Sequence, residues 1–288
     1  MLISGCKCGL HGKPLCMNHE ARKRLDGCAL SRKPSRLPYK PPKPYIPEVK
    51  WERKAMTIAV GFECREGFVL GADRQMSHGT AKDIGAFAHY EQKVFGHEAL
   101  DFAVSICGAG NDGSFLKPFA ESFLEESSEH LKKDGIGQTR SVLESSLNEF
   151  TVKIGGTPDL SLLVVAVDKD GNSEFIRSDG LVTQAAQETE VLGIGETSLV
   201  RYMIDSVFDE DMGLHHLAAL ASLVIYGAKK YCPQYCGGST DLFMLPRKYF
   251  WDTLPVDKRK LENLEELFAD KAPEKLIELI GDAAKIIK

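Results

Sequence analysis

Residues 6–28 of the chain bring together Cys6, Cys8, His11, Cys16, His19 and Cys28. Thiolate and imidazole are the usual ligands of structural Zn²⁺. The two-residue gap in Cys16-Met17-Asn18-His19 lets two of them reach one tetrahedral ion. The competing reading is a leader whose cysteines hold nothing. His78, His89, His97, His130, His215 and His216 show no metal spacing. A second set of reactive types lies further on. Thr57 opens a β-rich segment, Asp73 closes another, and Lys93 falls in a third. Taken alone, each has an ordinary explanation. Threonine is common in strands, Asp73 is a strand-end turn acid, and Lys93 is a solvated strand-edge lysine. Gly108 would then serve a tight turn with positive φ.

The elements around these residues differ sharply in composition. The 288 residues carry a net charge of −5, with 43% hydrophobic and 27% charged residues, so a packed core is available and wholesale disorder is excluded. Residues 1–55 hold 13 of the 36 Lys+Arg and 4 of the 41 Asp+Glu, a balance of +9, whereas the remainder carries −14. The first 55 residues also hold 7 of 13 prolines and 4 of 8 cysteines. The acidic body argues against a nucleic-acid-binding core, because phosphate neutralisation needs clustered Lys and Arg. The longest apolar runs, Leu160–Val167 and Leu217–Ala228, fall short of the roughly 20 residues that span a bilayer. Polar residues interrupt 1–20 where a secretory signal needs an apolar stretch. These features predict a cytoplasmic protein whose cysteines are thiols or metal ligands rather than disulfides.

Residues 34–47 contain six prolines, which impose extended backbone and mark a linker. Strands are predicted at 57–64 and 68–73 around the turn Arg65-Glu66-Gly67, then at 92–95 and 102–107. Asn111 is the expected N-cap of a helix over 111–133, and a second helix covers 138–153. Strands follow at 160–167, 173–178, 181–185 and 190–193, with Asp168-Lys169-Asp170-Gly171 as a hairpin turn. Helices at 197–208 and 213–231 precede a strand at 241–245. The tail, 257–287, reads as amphipathic helix in two pieces broken by Pro273. Hairpins imply antiparallel sheets, and paired helices between strand blocks imply helices layered outside them. The expected class is α+β, a four-layer αββα sandwich with two central antiparallel sheets, preceded by a basic Cys/Pro-rich extension.

Five passages in order resemble the proteasome family of N-terminal-nucleophile hydrolases. They are Thr57-Ile-Ala-Val-Gly-Phe through Gly67-Phe-Val-Leu-Gly-Ala-Asp73, Glu91-Gln-Lys93-Val-Phe95, Ile106-Cys-Gly108-Ala-Gly-Asn-Asp112, Gly193-Ile-Gly195 and Cys236-Gly-Gly238. They are similar to a proteasome β-type subunit or its bacterial relatives over about residues 57–245. The resemblance implies a threonine peptidase. Its nucleophile is the Thr57 hydroxyl and its base is the free α-amine of the same residue, with a pKa near ~8. Lys93 would lower that amine's pKa, Asp73 would hold Lys93, and the Gly108 N–H would face the oxyanion. The resemblance also implies a homo-oligomer acting on peptide or protein, without a cofactor for catalysis.

Three positions depart from the family's pattern. Ile194 stands where a serine is usual inside Gly-x-Gly, Pro233 where an aspartate is usual, and Cys236 where a second serine is usual. Cys236 is a partial polar substitute. The amine also requires a new N-terminus at Thr57, through autolysis or through translation from Met56 followed by methionine removal. The stretch from Cys8 to Arg24 is similar to short zinc-knuckle heads, which implies Cys8, Cys16, His19 and Cys28 as ligands with Cys6 as competitor. The chain thus divides into a Cys/His head (1–33), a Pro-rich linker (34–55), the hydrolase-like domain (56–250) and C-terminal helices (251–288). The second reading is a non-catalytic scaffold subunit of the same fold whose head recruits a partner. A zinc-headed nucleic-acid binder is the third.

Overall fold

The structure is a computed structural model, and it describes residues 57–78, 87–111, 113–193, 198–248 and 254–287. The chain divides into two units, Met1–Lys50 and Trp51–Lys288, and every described residue lies in the second.

Two five-stranded antiparallel sheets dominate this unit. The first is ordered β10-β1-β2-β11-β12, from β1 (Ile58–Cys64), β2 (Gly67–Asp73), β10 (Thr189–Gly193), β11 (Thr240–Pro246) and β12 (Leu254–Pro255). The second is ordered β5-β6-β7-β8-β9, from β5 (Val94–Glu98), β6 (Phe102–Gly110), β7 (Leu160–Asp168), β8 (Ser173–Asp179) and β9 (Val182–Ala185). A small two-stranded sheet pairs β3 (Gln75–His78) with β4 (Phe87–Tyr90). The sequence reading missed β3, β4 and β12, each too short to show a period.

Strand geometry decides the packing, because successive side chains leave opposite faces. In β1, Ile58, Val60, Phe62 and Cys64 join Leu217, Ala221, Val224 and Ile225 of α4 (Leu214–Tyr231), and Ile204 of α3 (Ser198–Val207), in one apolar cluster. Ala59 points the other way. It joins Phe68, Leu70 and Ala72 of β2 with Ala103, Cys107 and Ala109 of β6 and Leu163 and Val165 of β7. The alternate residues of β6 and β7, Val104, Ile106, Leu162 and Val164, form a third cluster. Their partners include Phe119 and Phe123 of α1 (Leu116–Asp134) and Leu143 and Leu147 of α2 (Thr139–Ile154). Both sheets are therefore apolar on two faces, which is why β2 and β6 read as near-continuous hydrophobic runs. Burying one such Leu, Ile or Phe contributes about 1.5–3 kcal/mol.

Several expectations need correction. Asn111 does not cap α1, since a short 3₁₀ turn over Gly113–Phe115 intervenes and Phe115 takes the N-cap position. The Asn111 amide instead donates to Asp159 Oδ2 at 2.5 Å. Pro273 does not break the tail, because α5 runs unbroken over Lys258–Ile287. An interior proline removes one hydrogen bond of the ladder. Here, on the N-terminal side of Pro273, Leu261 and Leu264 pack on the α4 cluster, and Tyr226 meets Phe268 with ring centroids 6.0 Å apart. Among the described residues, no helix is long and apolar enough to cross a membrane.

Candidate active site

The hairpin β1–β2 places a hydroxyl against a carboxylate. Thr57 directly precedes β1 and Asp73 ends β2, and the register Ala59↔Ala72 brings the two ends together. The Thr57 hydroxyl donates to Asp73 Oδ1 at 2.5 Å, and the Ile58 N–H donates to the same oxygen at 3.2 Å. Asp73 Oδ2 accepts from the N–H groups of Gln75 (3.2 Å) and Gly237 (2.9 Å). Asp73 is wholly buried, so these donors replace the water it has lost.

The second sheet supplies the amine. Lys93 precedes β5, and Val94 pairs with Cys107, which anchors the lysine opposite the hairpin end. Its Nζ donates to Asp73 Oδ1 at 2.9 Å, to the Thr57 hydroxyl oxygen and to the Gln75 carbonyl. Three acceptors match the three protons of an ammonium. Lys93 is 1% exposed. Burial pushes its pKa below the ordinary 10.5, while the charge of Asp73 and its hydrogen bond push back. The Thr57 hydroxyl is thus held between a proton acceptor and an amine whose hold on its proton is weakened.

Of the predicted residues, the fold brings Thr57, Asp73 and Lys93 into direct contact. Lys93 is buried, not a solvated edge lysine. Cys236 lies in the turn before β11 and is 1% exposed, and the nearby charge of Asp73 disfavours its thiolate while that of Lys93 favours it. Burial pushes its thiol pKa strongly up, so it stays protonated. Pro233 is exposed in the same turn. Gly108 sits inside β6 one step beyond the Val94–Cys107 pair, without the positive φ that the turn reading gave it. A Cβ there would meet Leu116 and Leu162. Cys8, Cys16, His19, Cys28 and Ile194 lie outside the described residues. Among the described residues, no group of three or more His, Cys, Asp and Glu is arranged to hold a metal ion.

Two residues at the site carried little sequence signal. Gln75 opens β3 two residues after Asp73 ends β2, in a strand too short to show a period. Gly193 has φ 73°, and a Cβ there would run into the Thr57 carbonyl oxygen and touch Ala109, so only glycine lets β10 close on Thr57.

No family model matches the sequence, and a search of curated proteins finds no relative. These findings correct the assignment to the proteasome β-type family. The short motifs behind it mark hairpin ends and strand turns, which do not separate one family from another. Solved structures do match. An Anbu (Gly-1) mutant from Hyphomicrobium sp. strain MC1 aligns with a TM-score of 0.61 and 17% identity, covering 77% of this chain and 99% of that one. Anbu, an ancestral beta-subunit, from Yersinia bercovieri aligns at 0.60 and 14%, covering 78% and 97%. The helical assembly of the Anbu complex from Pseudomonas aeruginosa aligns at 0.56 and 15%, covering 77% and 96%. Identities this low speak to architecture alone: the second unit of this chain has a proteasome-like fold of the kind found in Anbu.

Proposed function

We propose that the chain is a threonine-type amide hydrolase, most naturally a peptidase, with Thr57 as nucleophile. The observation that carries this reading is the buried contact of the Thr57 hydroxyl with both Asp73 and Lys93. A hydroxyl is a poor nucleophile at neutral pH, and activation needs an adjacent base. Release of the Met56–Thr57 bond, by methionine removal from a chain begun at Met56 or by autolysis, supplies that base as the Thr57 α-amine. The amine takes the hydroxyl proton, Oγ attacks the substrate carbonyl, and the same proton passes to the leaving amine. Water then hydrolyses the ester and regenerates Thr57. Lys93 keeps the α-amine's pKa low by its charge, Asp73 fixes Lys93, and the Gly108 N–H is the proposed oxyanion donor. The Cys236 thiol supplies what polarity the site has where a hydroxyl would serve better.

Around this site we infer a four-layer αββα sandwich, in which α1 and α2 cover one sheet and α3 and α4 the other. Residues 1–33 are proposed as a head with a structural zinc on Cys8, Cys16, His19 and Cys28, and residues 34–55 as its linker. Residues 251–288 are proposed as a C-terminal segment, within which lie the strand β12 and the single helix α5. Because Anbu from Pseudomonas aeruginosa forms a helical assembly, self-association is part of the proposal.

The test is peptide-library hydrolysis by three proteins: the full chain, the chain begun at Met56 with its methionine removed, and the latter with Thr57→Ala. The proposal expects cleavage by the second protein and none by the third. Equal cleavage by the second and third would sink it. A specific observation favours one alternative, a non-catalytic subunit of this fold whose head recruits a partner. Thr57 follows Met56 rather than a cleavable glycine, and Ile194 and Pro233 stand where polar support is usual. That reading expects no cleavage by any of the three.

A further inference from the structure

Asp73 and Lys93 come from different sheets, and neither strand reaches past the pair to hold it. The turn Cys232–Gly238 does. The Cys236 N–H donates to the Cys232 carbonyl at 3.0 Å, which coils the turn. The Gly237 N–H then donates to Asp73 Oδ2 at 2.9 Å. The turn also receives. The Gly237 carbonyl accepts from the N–H groups of Arg74 (3.2 Å) and Gln75 (3.1 Å), and the Gln234 carbonyl accepts from the Gln75 side-chain amide at 3.3 Å. A Cβ on Gly237 would collide with Gln75 Oε1, so glycine at that position admits the amide. Gln75 is 5% exposed. One residue therefore touches the turn through its backbone and side chain, and touches Lys93 through its carbonyl.

We propose that Gln75 is a positioning residue for the Asp73–Lys93 pair, its side-chain amide tying the Cys232–Gly238 turn to the start of β3 so that the Gly237 N–H stays on Asp73. This proposal rests on the hydrolase reading only for its effect on rate. The tether itself is a statement about Lys93. The charged and titratable groups facing Lys93 are Asp73 from β2, Cys236 from the turn and Asp241 from β11, and Asp241 is itself paired with Arg74 at 2.7 Å. Loss of the tether removes a donor from Asp73, which then attracts the ammonium more strongly. It also admits water to Lys93 and relieves the burial that depresses its pKa. Both changes push the lysine titration upwards.

The experiment follows the Lys93 titration by NMR in the full chain labelled with ¹³Cε-lysine, the signal being assigned by its loss in Lys93→Arg. Gln75→Met keeps the shape and removes the amide. It should raise the Lys93 midpoint by about one pH unit, a tenfold gain in proton affinity. Gly237→Ala, which pushes the amide out, should do the same. Gln234→Ala keeps the accepting carbonyl and should leave the midpoint in place. In a chain that cleaves peptide, Gln75→Met should lower kcat about tenfold with KM within twofold. An unmoved Lys93 midpoint in folded Gln75→Met overturns the proposal. If that variant does not fold, an unmoved midpoint in Gly237→Ala overturns it. A moved midpoint together with no cleavage by the chain freed at Thr57 supports the tether and sinks the hydrolase reading, and cleavage by that chain with an unmoved midpoint does the reverse.

Discussion

The Thr57, Asp73 and Lys93 side chains form one buried polar unit, and their coupling sets what substitution does. Lys93→Met removes the charge that balances a wholly buried Asp73. Breaking a buried pair in this way costs about 3–5 kcal/mol of stability. The double variant Asp73→Asn with Lys93→Met has no charge left to strand. Urea unfolding should therefore find it more stable than Lys93→Met alone, although both lack activity. Greater stability for the single variant would show that the pair is not balanced as described. The pH dependence has a definite sign. Burial sets the folded pKa of Lys93 below its ordinary 10.5, so between the two values the unfolded chain binds the extra proton. Stability contributed by this residue is reduced below the folded pKa and is recovered as pH rises towards 10.5. The urea midpoint of the parent chain should rise over that window relative to Lys93→Met. A fall would reverse the assignment.

At the scale of elements, the site depends on Gly193, while the β1–β2 turn serves stability. Gly193→Ala must adopt a left-handed φ, worth about 1–3 kcal/mol, and its Cβ also presses on the Thr57 carbonyl. It should lower thermal stability and abolish activity together. A stable and active Gly193→Ala would remove β10 from the account. The β1–β2 turn contributes in another way. Glu66 accepts from the Leu214 N–H at 2.7 Å and so caps α4. Glu66→Ala should cost about 1 kcal/mol in unfolding with activity intact, because the cap lies at the far end of the hairpin from Thr57. Much of this was legible beforehand. Strong alternation and continuous apolar runs gave β1, β2, β6 and β7, and a period of 3.6 gave α1 to α4. The hairpin placed Thr57 and Asp73 at its two ends, while their roles were implied by the motif resemblance. The contact of Lys93 with them came from motif resemblance, since nothing in the local pattern sets one sheet's register against the other's. Gln75 stayed invisible because its side-chain amide reaches a turn 159 residues away, which no local pattern shows. The unbroken α5 went against the proline rule, with its described packing on α4 lying ahead of Pro273.

For the whole molecule, the contrast between a +9 segment and a −14 remainder becomes a question about the peptide before Thr57. The fold matches Anbu structures almost end to end using about three-quarters of this chain. Self-association belongs to the proposal at this scale. Sedimentation velocity of the 31.8 kDa chain should find multiples of that mass, whereas a monomer at every concentration would remove the assembly. The central claim is that Thr57 reacts once its nitrogen is free. The most direct measurement is intact and peptide-level mass spectrometry after incubation with a peptide epoxyketone, which requires both a hydroxyl and an adjacent amine. The account predicts one adduct per chain, located on an N-terminal Thr57 and absent when Met56 is retained. Protein whose mass confirms a free Thr57 and which takes no adduct would contradict it.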